Sequence, residues 1–282
     1  MIISNKISVV IATLGGVQLH DTIKSINSNT IIPFEILISI PIQESNNIKF
    51  QLPHNAKVCI SENRGQVAQR LFGFSLASGE FIMQMDDDLV LERNTIELLL
   101  NSLTSLPKNS AIAPSIYVLQ TKRSFYKRPP STKFLNFYYF LINGMNGYKP
   151  GTLTKAMSNI GVDPDESNEL LTKSEWLPGG CVLHYRNNII NFNYFPFNGK
   201  AYCEDIYHSI YLTEKGINLY IHNNARIWLS ETNIDISLNQ KLQNFLNDFK
   251  ARIYLAKKFP RGKSIFSIYL YYVINSYRSI FK

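Results

Sequence analysis

Cysteine is scarce in this sequence, and its scarcity argues against a disulfide scaffold. The three cysteines, Cys59, Cys181 and Cys203, are odd in number and far apart. Such cysteines are typical of reduced thiols that fill the core of a cytosolic protein. The sequence also lacks zinc-ligand spacings and nucleic-acid-binding motifs, so we expect no nucleic-acid partner.

Long hydrophobic runs are also lacking. No apolar stretch approaches the ~20 residues that a helix needs to cross a bilayer. Residues 1–6 lead directly into a strand pattern and show no signal-peptide pattern. We therefore expect a cytoplasmic protein, with peripheral contact at the inner face of the membrane as a further possibility to test.

The composition is that of a folded protein with an anionic partner. Of 282 residues, 45% are hydrophobic and 18% are charged, which excludes a disordered chain. The formal charge is +8 and the isoelectric point about 9.2. This excess of positive charge indicates nucleotide phosphates, a lipid surface or nucleic acid as partner.

The first 92 residues alternate between strand and helix patterns. The order is β-α-β-β-α-β with short connections, which is typical of a nucleotide-binding α/β half. Strands are predicted over residues 7–12, 34–40, 57–60 and 80–85, and helices over residues 18–28 and 66–77. The first strand ends in Thr13-Leu14-Gly15-Gly16, where glycines let the backbone approach a ligand.

Three carboxylates, Asp86, Asp87 and Asp88, follow the fourth strand directly. Adjacent acids repel one another, so a nearby cation should offset their charge. Mg²⁺ and Mn²⁺ prefer oxygen ligands and are often held by one or two carboxylates together with substrate phosphates. The end of a strand in an open α/β sheet is also where ligands bind. The alternative is a solvated acidic turn before a helix.

Residues 93–150 continue the fold and then change character. A helix is predicted over residues 95–103 and a strand over residues 111–119. Residues 120–150 interleave basic and aromatic residues around Pro129-Pro130. Such a stretch is a packed insertion, a membrane-contacting surface or a site for single-stranded nucleic acid. We favour the first two, because no nucleic-acid-binding fold accompanies it.

Two later clusters are candidates for sugar binding and catalysis. Trp176 precedes Gly179-Gly180 and a short strand, and an indole offers a flat platform for a sugar face. The alternative is a core tryptophan beside a turn. Glu204 and Asp205 begin a helix, whose dipole keeps a carboxylate ionised there; a base and a helix cap are both compatible with this position.

The remaining chain is predicted to be two short strands and then helices. The strands cover residues 219–221 and 226–229, with His222 in a loop between them. A lone histidine there is a metal ligand or, more often, a polar surface residue. Residues 238–259 have a helical pattern, and residues 264–282 form a second helix flanked by Arg261, Lys263, Arg278 and Lys282. That helix suits a membrane interface or docking against the core.

Taken in order, these motifs resemble those of the family 2 glycosyltransferases, over about residues 5–230. The matching positions are 9–13, 63–65, Arg70, 77–82, the triplet 86–88, Trp176, Gly179, Gly180, Glu204 and Asp205. Each motif is weak alone, but their order and spacing together are specific.

The resemblance implies an α/β GT-A fold, in which a Rossmann-like mixed sheet is flanked by helices. The expected organisation is a glycosyltransferase domain over 1–235 and a helical C-terminal extension over 236–282. Within the domain, 1–92 is the nucleotide-binding half and 93–235 the acceptor half, with the basic aromatic insertion at 120–150.

The resemblance also implies a reaction and roles for particular residues. The donor is a nucleotide sugar, with UDP favoured, and the cofactor is Mn²⁺ or Mg²⁺. Asp86 and Asp88 are expected at the metal, and Thr13, Arg70, Asp86 and Asp87 at the nucleotide sugar. Trp176, Gly179 and Gly180 are expected at the acceptor or donor sugar, and Asp205 with Glu204 in catalysis. Asp205 would act as the general base of an inverting transfer.

Two positions depart from the family pattern. An aspartate that contacts the nucleotide base is usual at the end of the second strand, where this chain has Ser39-Ile40-Pro41 and Glu44 as the nearest acid. A histidine is common near residues 226–229, where Leu229 stands; His222 is the candidate substitute as third metal ligand.

The expected function is transfer of a sugar to a hydroxyl of a glycan or lipid-linked oligosaccharide, in cell-surface polysaccharide synthesis. Two alternatives stay open: a non-catalytic nucleotide-sugar or glycan-binding protein, and a sugar-phosphate nucleotidyltransferase. The latter needs a basic glycine-rich loop after the first strand, and residues 13–16 contain no basic residue.

Overall fold

The chain divides into two compact units, each described here by itself. The computed structural model describes residues 6–197, 200–230, 237–260 and 264–280. The sheet unit lies within Met1–Phe125 and Asp163–Glu231, and the helical unit lies within Tyr126–Val162 and Thr232–Lys282. Every strand in the described residues belongs to the sheet unit.

The sheet unit is built on one mixed sheet, which has nine strands in the described residues. The strands are β1 Ile7–Ala12, β2 Glu35–Pro41, β3 Ala56–Ser61, β4 Phe81–Met85, β5 Leu89–Leu91, β6 Ser110–Val118, β7 Leu171–Ser174, β8 Cys181–Tyr185 and β9 Asn218–Leu229. Their order is β3-β2-β1-β4-β8-β6-β9-β5, and β7 pairs with β9. The mixed α/β architecture predicted from the sequence is therefore confirmed.

Seven α-helices occur in the described residues. They are α1 Leu19–Asn27, α2 Gln66–Leu76, α3 Thr95–Ser105, α4 Lys133–Asn143, α5 Glu204–Glu214, α6 Leu238–Lys258 and α7 Ser264–Ile280. The predicted β-α-β-β-α-β order is confirmed as far as Met85, and the short strand β5, which was not predicted, follows the acidic triplet. Helix α2 lies very close to the sheet at Gly73. A Cβ added at this glycine would stand only 2.4 Å from Cγ1 of Val10 on β1.

The sheet brings the ends of β1 and β4 to the same edge. The two strands are parallel neighbours, and Ile11 on β1 is paired with Met85 on β4. Both strands are almost fully buried, as expected of continuous apolar runs in a parallel sheet. Thr13 and the acidic triplet leave these strands at adjacent positions, which places the triplet at the ligand-binding edge expected for such sheets.

The prediction of two short strands separated by His222 is wrong. Residues 218–229 form the single strand β9, and His222 lies inside it with 1% of its surface exposed. The register against β6 shifts between Pro114 and Ser115, which leaves an irregularity after His222. The His222 ring stabilises this irregularity: its Nδ1 accepts hydrogen bonds from the backbone N–H groups of Asn224 (3.1 Å) and Ala225 (2.9 Å). Burial lowers its pKa, so the ring is neutral.

The basic aromatic segment is divided between the two units. Residues 120–125 belong to the sheet unit, where Lys122 Nζ lies 4.5 Å from the centroid of the Trp228 ring. Residues 126–150 belong to the helical unit and contain α4. Residues 120–150 are therefore divided between the two units at Phe125 and Tyr126.

The helical unit contains α4, α6 and α7, and α7 packs against both other helices. Between α6 and α7, the Phe249 ring contacts the rings of Tyr269 (5.5 Å between centroids) and Tyr272 (5.2 Å). None of the described helices combines the length and the apolar character needed to cross a membrane. The predicted domain boundary at 235/236 and the flanking Arg261, Lys263 and Lys282 lie outside the described residues.

Candidate active site

Asp86 is the acid of the triplet that is most strongly held by the protein. Its Oδ1 accepts hydrogen bonds from Arg70 Nη2 at 2.6 Å and from Gln66 Nε2 at 3.0 Å. Both donors project from α2, where they are spaced i and i+4 and so share one face of the helix. The backbone N–H of Asp86 donates to the Gly180 carbonyl at 2.8 Å. Asp86 thus connects the end of β4 to α2 and to the turn that precedes β8.

Asp87 is held by the turn that follows β1. The Thr13 hydroxyl donates to Asp87 Oδ2, and Thr22 on α1 donates to the Asp87 carbonyl at 2.9 Å. Thr13 in turn accepts the backbone N–H of Gly15 at 2.8 Å and is only 4% exposed. Burial raises the pKa of Asp87, while the bond from Thr13 acts in the opposite direction. Thr13 therefore shapes the acidic end of β4 from the adjacent strand.

Asp88 carries the charge that the protein leaves least compensated. Burial, reinforced by the neighbouring charges of Asp86 and Asp87, raises its pKa from 3.8 to about 6. Three carboxylates at one strand end, with one Arg and one Thr engaging two of them, leave a local excess of negative charge. A cation bound here would remove that excess.

This donor set fits a hard divalent cation that is completed by a ligand from outside the protein. In the described part of the chain, no three or more His, Cys, Asp or Glu side chains are grouped to hold an ion alone. Asp86 and Asp88 offer carboxylate oxygens, the atoms that Mg²⁺ and Mn²⁺ prefer, and such ions are often bound by one or two carboxylates plus phosphate oxygens. The acidic end of β4 therefore fits an ion that arrives with a diphosphate.

Arg70 joins the acidic triplet to the second carboxylate cluster. Its side chain is 2% exposed, and its Nη1 lies 2.8 Å from Glu204 Oε2 in an ion pair rather than an aligned hydrogen bond. Its Nη2, which binds Asp86, also donates to the Gly179 carbonyl at 3.1 Å. Burial lowers the pKa of Arg70, but the charges of Glu204 and Asp86 raise it above its ordinary value. The guanidinium thus faces protein carboxylates, whereas the sequence predicts a nucleotide-lining role.

Glu204 and Asp205 begin α5, as predicted, but their environments differ. Glu204 is 5% exposed, and Tyr194 donates its hydroxyl to Glu204 Oε1. Burial, followed by the charge of Glu204, raises the Tyr194 pKa well above 10, so this hydroxyl keeps its proton. Asp205 is only half-buried, and its Oδ1 accepts the backbone N–H of Ile206 at 2.9 Å. Glu204 is therefore locked in the interior, while Asp205 is the carboxylate that solvent can reach.

Gly179 and Gly180 lie between the two carboxylate clusters. A Cβ added at Gly179 would stand 2.7 Å from Glu204 Oε2 and 3.4 Å from Asp205 Cβ. A Cβ added at Gly180 would stand 3.3 Å from Asp86 Oδ2. The side-chain amide of Gln84 fixes this turn by donating to the Gly179 carbonyl at 2.9 Å. The glycines are thus required by close packing, which brings the acids of β4 and α5 together.

Trp176 occupies the interior of the sheet unit. It is 2% exposed, as the alternative of a core tryptophan beside the turn requires. An indole that serves as a sugar platform needs an open face, which this side chain does not present in the structure. The sequence shows a tryptophan before a glycine turn but not which way it points.

The structure adds residues that the sequence analysis missed. Gln66 and Gln84 hold Asp86 and Gly179, and Tyr194 holds Glu204. Gln66 could have been identified from the sequence, because it lies four residues before Arg70 on a predicted helix and so shares its face. Tyr194 had none, since it stands in an irregular segment whose path only the fold determines.

A cavity of about 360 Å³ lies between the start of α2 and a wall formed by Asn193, Phe195, Pro196, Phe197 and Ala201. It is lined by Arg64 and Gln66 on one side and by Phe195 and Phe197 on the other. Gln66 contributes to the cavity and also binds Asp86. Polar groups at one wall and aromatic rings at the other are suited to a sugar or a nucleoside.

The end of β2 differs from the family pattern in structure as it does in sequence. Ser39 is fully buried, and its backbone carbonyl accepts hydrogen bonds from Gln69 Nε2 (2.9 Å) and from the Thr13 N–H (3.1 Å). Glu44, the nearest acid, forms an ion pair with Arg64 at 3.1 Å. The aspartate that is usual in the family at the end of this strand is thus absent here, and the nearest acid, Glu44, is engaged by Arg64.

Comparison with known proteins gives a family and a fold. The sequence profile of Glycosyl transferase family 2 matches residues 8–164, more than half of the chain. A crystal structure of GalNAc-T7 with UDP, GalNAc and Mn²⁺ superposes with a TM-score of 0.57 at 16% sequence identity. The match covers 96% of this chain and 55% of that one, so the chain spans little more than half the length of this neighbour. The likeness confirms the GT-A fold. No curated protein gives a significant sequence match.

Proposed function

Because the chain belongs to glycosyl transferase family 2, we propose that it transfers a sugar from a nucleotide-sugar donor to an acceptor hydroxyl, with inversion at the anomeric carbon. The observation that supports this most is the pair of contacts by which Arg70 connects the end of β4 to the start of α5. Arg70 contacts both Asp86 and Glu204, and Glu204 is the residue before Asp205. A base and a diphosphate site are thereby held on one rigid frame.

The donor would lie with its diphosphate at the end of β4. Asp86 and Asp88 would hold Mn²⁺ or Mg²⁺, and the ion, when bound, would offset the negative charge that develops on the leaving diphosphate. Asp87 and Thr13 shape this end of the sheet and so orient the donor. UDP is the proposed nucleotide, since the GalNAc-T7 structure contains UDP and Mn²⁺ in the same fold.

Asp205 would act as the general base. It is accessible at the start of α5, where its Oδ1 accepts the Ile206 N–H. Asp205 takes the proton from the acceptor hydroxyl, and the oxygen forms its bond to the anomeric carbon. The bond from that carbon to the diphosphate breaks on the opposite face, and its electron pair leaves with the diphosphate. Glu204 does not contact the reactants but orients α5 through Arg70 and Tyr194.

The acceptor is proposed to be a hydroxyl of a glycan or lipid-linked oligosaccharide used in cell-surface polysaccharide synthesis. The cavity at the start of α2 supports an acceptor or donor ring there, because Phe195 and Phe197 supply apolar rings opposite the polar residues of α2. A membrane partner is suggested by a different part of the chain and is considered separately below.

Turnover is the direct test. Donors carrying UDP, GDP, dTDP and CMP would be incubated with Mn²⁺ and a lipid-linked glycan extract, and nucleotide release would be followed. Replacing the base by D205N should lower kcat by about 10²–10⁴-fold without weakening donor binding. The control E214Q alters an exposed acid at the other end of α5 and should leave kcat unchanged. Donor binding without nucleotide release would instead identify a non-catalytic binding protein.

A further inference from the structure

The helical unit exposes far more apolar surface than its size predicts. Of the 24 large apolar side chains that are exposed in the described residues, 13 lie in this unit. The unit holds 88 of the 282 residues. Single exposed apolar residues are ordinary on protein surfaces, but contiguous groups mark a binding surface. The distribution of these side chains on each helix therefore matters.

Helix α6 carries an apolar stripe of which only the second half is covered. Leu238, Leu242, Phe245 and Leu246 follow the spacing i, i+4, i+7 and i+8, and all four are exposed by 40–82%. Cover from α7 begins at Phe245, whose ring centroid lies 5.0 Å from that of Tyr272, and continues at Phe249, which the Tyr269 and Tyr272 rings contact. The first two turns of α6 thus present an apolar face that the described residues leave open.

Helices α7 and α4 also each have an exposed apolar face. On α7, Ile265, Phe266 and Val273 share one side and are 45–69% exposed, while Ile268 on the other side is fully buried. On α4, three phenylalanines at spacings of three residues are 49–59% exposed; they are Phe134, Phe137 and Phe140. Each helix therefore uses one apolar face for the unit's interior and leaves another bare.

The charge of the two units is of opposite sign. By sequence, the helical unit contains 14 Lys and Arg residues against two Asp residues, which gives +12. The sheet unit contains 15 Lys and Arg residues against 19 acids, which gives −4. Among the described residues of the helical unit, the only acid is Asp248, and Arg252 pairs with it at 3.0 Å. The positive charge of this unit is thus not neutralised internally.

We propose that the helical unit binds the surface of an anionic membrane. The bare faces of α6 and α7 insert at the boundary between headgroups and acyl chains, and exposed lysines such as Lys133, Lys241 and Lys257 contact anionic headgroups. This combination of apolar and basic side chains is what such surfaces bind. The inference does not depend on the proposed transfer reaction, because none of these residues belongs to the candidate active site.

The charge also argues against two other occupants. A second copy of the chain would bring another +12 to the same surface, and like charges at an interface oppose association. Single-stranded nucleic acid would match the charge but needs aromatic rings for base stacking. On α6 and α7, five of the nine exposed apolar side chains are aliphatic, among them Leu238, Leu242 and Val273. A lipid surface satisfies both the charge and the aliphatic side chains.

Vesicle flotation of the full chain tests the proposal. The probes are vesicles of phosphatidylcholine alone and vesicles with about one-third phosphatidylglycerol. We expect the wild type to float with the anionic vesicles at low ionic strength, and at least tenfold less with neutral vesicles or in high salt. The variant F266S/V273S should reduce partitioning at least tenfold, and L238S/L242S on α6 should do so independently. Each variant's urea midpoint reports whether it folds.

The matched control is I32S/L170S, which replaces two side chains of similar exposure in the sheet unit. It should float like the wild type. The proposal is overturned if the wild type does not float with anionic vesicles, or if both helical-unit variants, while folded, float as well as the control. It is also overturned if sedimentation shows self-association that F266S/V273S abolishes, or if the chain retains an RNA oligonucleotide but no vesicles.

Discussion

The Arg70 guanidinium lies 2.8 Å from the Glu204 carboxylate, although the two residues are 134 positions apart in the chain. Both side chains are at least 95% buried. The same guanidinium binds Asp86, so one cation connects the acid at the end of β4 to the start of α5. Arg70 therefore fixes the end of β4 relative to the start of α5, and in the proposed reaction it would position the diphosphate site and the base relative to each other.

Removing Arg70 should therefore cost both stability and activity. The variant R70M leaves Glu204 buried without its cation, and breaking a buried pair in this way costs about 3–5 kcal/mol of unfolding free energy. Urea unfolding measures this loss. The double variant R70M/E204Q removes the stranded charge as well and should recover part of the stability, which a double-mutant cycle would quantify.

The control for this prediction is R64M. Arg64 pairs with Glu44 at 3.1 Å, but its side chain is 65% exposed, so the loss should stay within about 1 kcal/mol. A cost for R70M no larger than that of R64M would contradict the role given to Arg70.

Gly179 should not tolerate even a methyl group. In G179A the new Cβ would meet Glu204 Oε2 at 2.7 Å, and Glu204 cannot move aside because Arg70 and Tyr194 hold it. We expect a cost of about 1–3 kcal/mol in unfolding free energy. The control is G16A, whose nearest contact is an ordinary 3.7 Å to Asp87 Oδ2, and it should change stability by less than about 0.5 kcal/mol. Equal effects of the two variants would argue against close packing at Gly179.

Glu35 at the start of β2 should make stability depend on acid pH. Burial acts to raise its pKa, but hydrogen bonds from Ser78 and Ser8 and the pairing with Lys57 outweigh it and lower the pKa from 4.5 to about 2. A depressed carboxyl pKa stabilises the fold above pH 4.5, by about 3 kcal/mol, and this contribution disappears as the pH falls from 4.5 to 2.

The urea midpoint of E35Q measures this effect. The variant should be less stable than the wild type at pH 7, and the difference should narrow steadily below pH 4.5. The exposed Glu62 provides the control E62Q, for which we expect a small difference at every pH. A difference between E35Q and wild type that does not change between pH 7 and pH 3 would contradict the assignment.

Local sequence patterns were sufficient to predict the strands and helices from β1 to β4. The runs at 7–12 and 81–85 are continuous and apolar, and such runs form buried parallel strands wherever the chain closes a sheet. The placement of Asp86 after β4 and of Asp205 at the start of α5 followed from this order. These features depend on residues that are close together in the sequence, so they can be predicted from the sequence alone.

Contacts between distant residues were not predictable in the same way. Nothing local shows that Arg70 points to Glu204 rather than to a ligand, because the partner is fixed only when α2 and α5 pack in the fold. The inward orientation of Trp176 is likewise determined by packing in the fold. His222 was predicted in a loop because a strand irregularity and a loop have similar sequence patterns. Side-chain direction belongs to packing, so the sequence gives candidates but not orientations.

The central claim is that the acids after β4 bind a nucleoside diphosphate together with a divalent ion. Calorimetric titration of UDP into the wild type, with and without Mn²⁺, tests it most directly, with D88N as the variant. D88N keeps the size of the side chain and removes a charge that Arg70 does not compensate in the structure.

The prediction is that UDP binds in the presence of Mn²⁺, at least tenfold more weakly without it, and at least tenfold more weakly to D88N. Because Glu44, the acid nearest the end of β2, is paired with Arg64, GDP, dTDP and CMP would be titrated alongside. Tight Mn²⁺-dependent binding of any one diphosphate that D88N abolishes would support the site. Failure of every nucleotide to bind with Mn²⁺, or equal binding by D88N, would contradict it.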